Sequence, residues 1–394
     1  MDKSLSISLF ETMMLISQMH KQIRWVIRIL WKMVYCLIAC ELFLRLFSPV
    51  PLLPHGYRVT AYGLRGNEFN RDYRHKTPEY CINIRTNSKG VRADREIPYE
   101  KAEGVKRIVL LGDSFGMGYG VNLEDTFSSQ MQKLLQESGV NSEIINLGVP
   151  AYGNAEELVV LKEEGLKYQP DLVLLAWHPS DYAENVQSNL FGLESGRLVR
   201  KNKTYLPKAR IREFLFRYEV YRWIAGNLQF YKFIRNVIYL YIRKPIATVK
   251  TKLSAIISSK SGKGDMEAKK QTDQNMTDED YQRNLTIEIL KEIKRECVSN
   301  RATFMIFDIP VKLSRTEFES HFPECDGNSV DHFEVFSPIE LFRRHRGEKI
   351  YWEKSEGHFT PLGCRIVGKG LAEFAFSKGL LSNKSAGLDG DVAL

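Results

Sequence analysis

The chain has 394 residues, 43% hydrophobic and 11% aromatic, enough for one large globular domain with additions or for two smaller ones. Its six cysteines, Cys36, Cys40, Cys81, Cys297, Cys325 and Cys364, show no C-x-x-C spacing, which argues against a zinc site and leaves disulfides undecided. The net charge of +8 is uneven: between 197 and 263 there are 17 Lys and Arg against only Glu213 and Glu219, about +15, and such a block implies an anionic partner, lipid headgroups or an acidic polymer.

The N-terminal run "KQIRWVIRILWKMVYCLIACELFLRLFSPVPLLP" holds 23 mostly apolar residues at 25–47, the length of one membrane span. Arg24, Arg28 and Lys32 share a helix face, and Glu41 and Arg45 are spaced to pair. No small-residue cleavage site follows. The expectation is an uncleaved signal anchor with residues 1–24 in the cytoplasm and the bulk of the chain outside. An amphipathic helix lying on a membrane or packed on the domain is the alternative.

Residues 48–104 read as a polar, turn-rich, extended lead-in. Strands and helices then alternate. Residues 107–111 form a strand, and 125–137 a helix by the spacing of Phe127, Met131, Leu134 and Leu135. "SEIINLGVPAYG" is a strand ending in glycine and proline, and 156–168 is a helix. "PDLVLLAW" is a continuous apolar run, as a strand buried on both faces should be. Later come a helix at 278–300, the strand "TFMIFDIP" and a short strand "EKIYW". The last helix, "TPLGCRIVGKGLAEFAF", has Thr360 as N-cap and Pro361 at its first position. The alternation predicts an α/β fold, a parallel sheet wrapped by helices on both faces, built from 105–182 and 278–380, with 381–394 as a tail. Ligands of such sheets sit at the carboxyl ends of the strands.

An insertion at 183–277 interrupts this pattern. Its first part interleaves aromatics from Phe214 to Tyr241 with the basic residues, as helices lying on a membrane face or as a helical cap with solvated charges. Its second part, "SSKSGKGDMEAKKQTDQNMTDED", is a low-complexity linker. There is no internal repeat.

Three strand ends carry the polar residues: Gly112, Asp113 and Ser114; then Asn146, Leu147 and Gly148; then His178, Pro179, Ser180 and Asp181. His358 stands in a loop just before the final helix. A serine hydroxyl is a poor nucleophile without an adjacent base, and this pairing supplies one. Asp113 reads as a cap of the following helix, and Asp308 as a distant substitute acid. The glycines of "GDSFGMGYG" fit neither a P-loop, which needs Lys before Ser or Thr, nor the dinucleotide fingerprint, whose spacing is different.

On these residues the sequence resembles the SGNH, or GDSL, hydrolase family over about 105–380 without the insertion. "GDSFGMG" resembles its nucleophile block, "NLGVPAYG" its second, "WHPSDY" its third and "EGHFTPLG" its fourth. The lead-in "NSKGVRADRE" resembles that of membrane-anchored bacterial members. The resemblance implies a flavodoxin-like α/β/α sandwich in which Ser114 attacks an ester carbonyl and His358 takes its proton. It implies an oxyanion hole from the N–H groups of Ser114 and Gly148 plus an asparagine side chain.

Two positions depart from the family pattern. The asparagine is Ser180, with Pro179 before it. Three residues before His358 stands Ser355 in place of aspartate. Either Glu356 orients the imidazole, or a Ser114–His358 dyad works with a backbone carbonyl. His178 and Asp181 fall in the predicted cleft as substrate contacts, Asp181 matching an aspartate usually structural in the family. The resemblance implies an extracytoplasmic serine esterase without cofactor or metal, removing or transferring an O-acyl group, acetyl foremost, on a cell-surface glycan. Its basic insertion would face an anionic membrane surface or an acidic polysaccharide, and no nucleic acid is expected. The other reading is a membrane-tethered polysaccharide scaffold whose cleft binds without catalysing.

Overall fold

The computed structural model describes residues 3–47, 57–204, 218–238, 277–314, 316–323, 333–355 and 357–381. Contacts divide the chain into two compact units.

The first unit contains α1 (Lys3–Phe47), α6 (Glu219–Asn227) and α7 (Gln229–Ile238). Among the described residues no helix is long and apolar enough to cross a membrane, so the span expected at 25–47 is corrected. The residues are helical, but charges interrupt the apolar run, and two of them have local work. The Glu41 carboxylate accepts the N–H groups of Gln229 (3.0 Å) and Phe230 (2.8 Å) at the start of α7. Arg45 pairs with Glu41 and donates to the Asn227 carbonyl at the end of α6. A carboxylate at a helix start and a guanidinium at a helix end satisfy backbone groups that have no intrahelical partner. Of the expected basic, aromatic insertion, 205–217 and 239–276 lie outside the described residues, including Phe214, Phe216, Tyr239 and Tyr241. So does the tail beyond 381.

The second unit holds the sheet. Its lead-in comprises β1 (Tyr57–Val59) paired with β2 (Arg65–Asn67), and β3 (Asp72–Lys76) paired with β4 (Cys81–Arg85), both antiparallel. The lead-in is therefore two hairpins where the sequence predicted an extended segment. There follow β5 (Lys106–Gly112), α2 (Ser114–Met117), α3 (Phe127–Glu137), β6 (Ser142–Asn146), α4 (Asn154–Glu163), β7 (Leu172–Trp177) and α5 (Asp181–Ser188). The hairpin of β8 (Phe191–Glu194) and β9 (Arg197–Arg200) comes next, then α8 (Asp278–Ser299), β10 (Thr303–Asp308), the short pair β11 (Val311–Lys312) and β12 (Phe318–Glu319), β13 (Glu334–Phe336), α9 (Ile339–Arg344) and α10 (Pro361–Ser377).

The central sheet has five parallel strands in the order β13-β10-β7-β5-β6. Alternation along each strand divides the core in two. Val109, Leu111, Val173, Leu175 and Ile306 face one side, where α4 and α8 bring Leu158, Leu161, Ile289 and Ile293. Ile108, Leu110, Leu172, Leu174 and Phe307 face the other, where α3 and α10 bring Met131, Leu135, Val367 and Leu371. Strands buried on both faces read as unbroken apolar runs, which is why "RIVLL" and "LVLLAW" showed no polar alternation. Each such side chain taken out of water contributes about 1.5–3 kcal/mol.

Two expectations shift at the edges. Beside β10 the sheet ends in β13, a strand the sequence did not show; the run "EKIYW" contributes an isolated bridge from Tyr351 to Phe359. Within 183–204, α5 and the β8–β9 hairpin belong to the sheet unit, with Leu190 and Phe191 in its core. The caps of the last helix form as the sequence implied: the Thr360 side chain accepts the Gly363 N–H, and Pro361 takes the first turn.

Candidate active site

The parallel order places the ends of β5, β6 and β7 side by side, with Gly112 opposite Ala176 and Leu110 opposite Asn146. Ser114 opens α2, where the first N–H groups have no intrahelical acceptor. Asp113 caps this helix as expected, its Oδ1 accepting the Phe115 N–H at 2.7 Å. Gly118 ends the helix at φ +82°, in the left-handed region where a Cβ is penalised.

Two side chains hold this turn. The Asn146 amide donates to the Gly116 carbonyl at 2.8 Å. Arg92, 2% exposed, comes from the lead-in and donates to the carbonyls of Met117, Gly118 and Val121. Burial lowers its pKa to about 10, and the three carbonyls give the guanidinium the acceptors that water would have given.

His358 enters from the opposite end of the chain. The Trp352 N–H donates to the His358 carbonyl (2.8 Å), and the Tyr351–Phe359 bridge lies next to it. Residues 352–358 thus close as a short loop, which sets the imidazole against Phe115 and Tyr119, with ring centres 4.8 and 5.8 Å away. His358 Nε2 lies 2.8 Å from Ser114 Oγ. Burial lowers the His358 pKa to about 4, with the Ser355 carbonyl opposing and His75 and His178 adding to the drop. The ring is therefore neutral at physiological pH. With Nε2 accepting from the serine hydroxyl, its proton sits on Nδ1. The Ser355 carbonyl is close enough to favour that proton but does not reach hydrogen-bond geometry. Nδ1 is buried with no partner among the described residues.

Glu356 is outside the described residues. The Ser355 hydroxyl donates to Thr77 Oγ1 at 2.9 Å and not to the histidine. Asp308 is buried, burial raises its carboxyl with the Ser320 and Ser337 hydroxyls opposing, and its Oδ1 has no hydrogen-bond partner among the described residues.

Two residues expected at the oxyanion hole have partners inside the protein. The Gly148 N–H already donates to Asn146 Oδ1 at 3.0 Å, so serving an oxyanion requires that bond to be shared or released. Glycine is needed there for room: a Cβ would overlap the Met117 amide nitrogen and lie 2.8 Å from the Gly116 carbonyl carbon. The Ser180 hydroxyl is tied to His178 Nδ1 at 2.9 Å, and the Ser180 N–H points to the same nitrogen at 3.2 Å. An amide can only donate, so Nδ1 is an acceptor and the His178 proton is on Nε2. His178 is half-buried and stacks on Phe115, ring centres 5.1 Å apart. Burial lowers its pKa to about 4.

Asp181, expected as a substrate contact, is 1% exposed and lies beneath the site, which corrects that expectation. Its Oδ2 accepts the His178 N–H (3.1 Å) and the Asn154 amide (2.9 Å), so it holds the strand end. Asn154 also donates to Glu157, and burial together with mutual repulsion raises both carboxyls well above their usual range. Burial likewise raises Asp113 to about 7.

Sequence reasoning missed Arg92, and it placed Asn146 at a strand end without giving it a role. The signal available was a charge inside "GVRAD" and an amide closing the apolar run "EIIN".

No family model and no curated protein matches the chain. Solved structures do. It is similar to a lipase/acylhydrolase from Enterococcus faecalis, at 15% identity over 71% of this chain and 100% of that one, with a TM-score of 0.37. It is similar to a lipolytic protein of the G-D-S-L family from Desulfitobacterium hafniense DCB-2, at 11% identity over 68% and 99%, TM-score 0.36. It is similar to an acetyl xylan esterase, AlAXEase, at 11% identity over 68% and 98%, TM-score 0.34. Similarity this distant says nothing about substrate. By its four ordered blocks, and by the parallel sheet that brings their residues to one edge, the chain resembles the SGNH/GDSL lipolytic hydrolases.

Proposed function

We propose that the chain is a serine esterase that removes or transfers an O-acyl group, acetyl foremost, on a cell-surface glycan. The observation that carries this reading is the 2.8 Å contact between His358 Nε2 and Ser114 Oγ. In the first step a bond forms from Ser114 Oγ to the ester carbonyl carbon, and the hydroxyl proton moves to His358 Nε2. The tetrahedral oxyanion collapses, the ester C–O bond breaks, and His358 returns the proton to the departing alcohol. Water, or a sugar hydroxyl in the transfer case, then attacks the acyl carbon while His358 Nε2 takes its proton; the bond from that carbon to Ser114 Oγ breaks, and His358 returns the proton to Oγ. The Ser114 N–H is the first oxyanion donor, and Gly148 joins if its bond to Asn146 is shared. The site works outside the cytoplasm in this reading. The basic insertion faces an anionic membrane surface or an acidic polysaccharide, on charge alone.

The test is reaction of the full-length protein with a fluorophosphonate probe, with acetate release from an O-acetylated polysaccharide alongside. Label on Ser114 and release that disappear together in Ser114→Ala are expected. A folded wild-type chain that takes no label would falsify the esterase.

A second reading, a polysaccharide-binding scaffold, has its own support. The Ser180 hydroxyl and the Gly148 N–H are both engaged inside the protein. It predicts glycan binding that persists in Ser114→Ala, with no label on the wild type.

A further inference from the structure

The β3–β4 hairpin ahead of the sheet reaches the loop that presents His358. Its turn is closed by the Thr77 N–H donating to the Tyr80 carbonyl (2.9 Å), and Thr77 Oγ1 receives the N–H groups of Glu79 and Tyr80 (3.2 Å each). From this rigid turn Glu79 extends its carboxylate. Oε1 accepts the Glu353 N–H (3.2 Å) and the Lys349 ammonium (3.0 Å), and Oε2 accepts the Lys354 N–H (2.6 Å). Beside it, Ser355 donates to Thr77 Oγ1. One hairpin turn therefore fixes three consecutive loop residues, 353–355, the last of them three residues before His358. The Trp352 N–H staples the other end of the loop to the His358 carbonyl, and Trp352 Nε1 donates to the Gly120 carbonyl (3.1 Å).

We propose that Glu79 is the positioning residue of this site: its carboxylate, acting through the backbone of 353–355, holds the imidazole of His358 in line with Ser114 and keeps it out of water. The inference rests on the reading of Ser114 and His358 as nucleophile and base. A carboxylate that accepts two main-chain N–H groups fixes a loop in a way a neutral residue does not, because charge-assisted hydrogen bonds are shorter and stronger. Burial works against the charge on Glu79, yet the Lys349 ammonium and the N–H groups of Lys354 and Glu353 outweigh it and hold the carboxyl down at about 2. It is ionised wherever His358 is neutral. The same hairpin brings His75, buried at 3% exposure, against Tyr119, ring centres 5.1 Å apart, so the lead-in also walls the imidazole.

The test uses the full chain with Glu79→Gln and Glu79→Ala, labelled by a fluorophosphonate across the acid and neutral range. Ser114→Ala serves as blank, and thermal melting reports the fold. Around His358 the other titratable groups are His75 from β3, His178 just beyond the end of β7 and Tyr119; burial holds both imidazoles at about 4, where they titrate with His358, so a limb that moves up from there reports on His358. The expected labelling rate at neutral pH is about tenfold below wild type in Glu79→Ala, with Glu79→Gln between, the size typical of lost orienting partners. The acid limb should move from about 4 toward the ordinary imidazole value of about 6.5, as a loosened loop admits water. Should Glu79→Ala melt, Glu79→Gln decides, since it keeps the shape and one acceptor oxygen. A folded variant with the wild-type rate overturns the positioning role and leaves Ser114 and His358 as they are. So does a slower rate with an unmoved acid limb, the mark of a purely structural contact. A wild type that takes no label overturns both readings together.

Discussion

His358 Nε2 stands 2.8 Å from Ser114 Oγ across 244 residues of sequence. The imidazole is buried and has a pKa of about 4, so it is a base in waiting over most of the pH range. The reaction needs that base neutral, and its activity is therefore lost only as pH falls through about 4. We expect labelling by a fluorophosphonate to stay level from neutral pH down to about one unit above that value and then to drop. His358→Ala should abolish labelling while leaving circular dichroism unchanged. An acid limb near 6.5 in the wild type would show an imidazole open to water.

Ser180 tests the oxyanion geometry. Its hydroxyl lies on His178 Nδ1, so Ser180→Ala should change the rate by less than about threefold, with His178 still pinned by the backbone N–H of residue 180. An oxyanion donor would cost ~10²–10³ in kcat, and a loss of that size in steady-state kinetics would restore the role that the sequence suggested.

Asp113 links pH to stability. Its carboxyl is raised by burial to about 7, above its value in an unfolded chain. The stability it contributes is full below the unfolded pKa and is lost as pH rises through about 7. Asp113→Asn keeps an oxygen acceptor for the Phe115 N–H and removes the titration. The variant should gain on the wild type by a few kcal/mol between pH about 4 and about 8, at ~1.4 kcal/mol per pKa unit. Chemical denaturation at the two ends of that range measures the difference, and an unchanged gap would refute the shift.

Arg92 carries the nucleophile turn. Arg92→Met keeps apolar volume but leaves three buried carbonyls without donors, each worth about 1–3 kcal/mol. We expect a loss of at least about 3 kcal/mol of stability and slower labelling of Ser114 even below the melting transition. Normal labelling in a folded Arg92→Met chain would mean that the turn holds itself.

The residues most legible in the sequence were those whose signal is local. "RIVLL", "LVLLAW" and "TFMIFD" had to be buried strands because nothing polar interrupts them, and Thr360–Pro361 marks a helix start by itself. Glu41 and Arg45 were spaced to pair and do, but that they also cap α7 and α6 was invisible until those helix ends were in place. The strand β13 was not read because three residues, Glu334–Phe336, are too few to show a period, while "EKIYW", read as a short strand, gives only a bridge.

What the sequence determined alone was the alternation of strands and helices, the order of the four blocks and the candidates Ser114 and His358, since each follows from side-chain type and spacing along the chain. What only the tertiary structure decided is who satisfies whom: Asn146 takes the Gly148 N–H, Ser180 serves His178, Arg92 grips the nucleophile turn and Glu79 grips the histidine loop. The physical reason is that a buried polar group must find a partner wherever folding brings one within about 3 Å, and periodicity along the sequence carries no record of that distance.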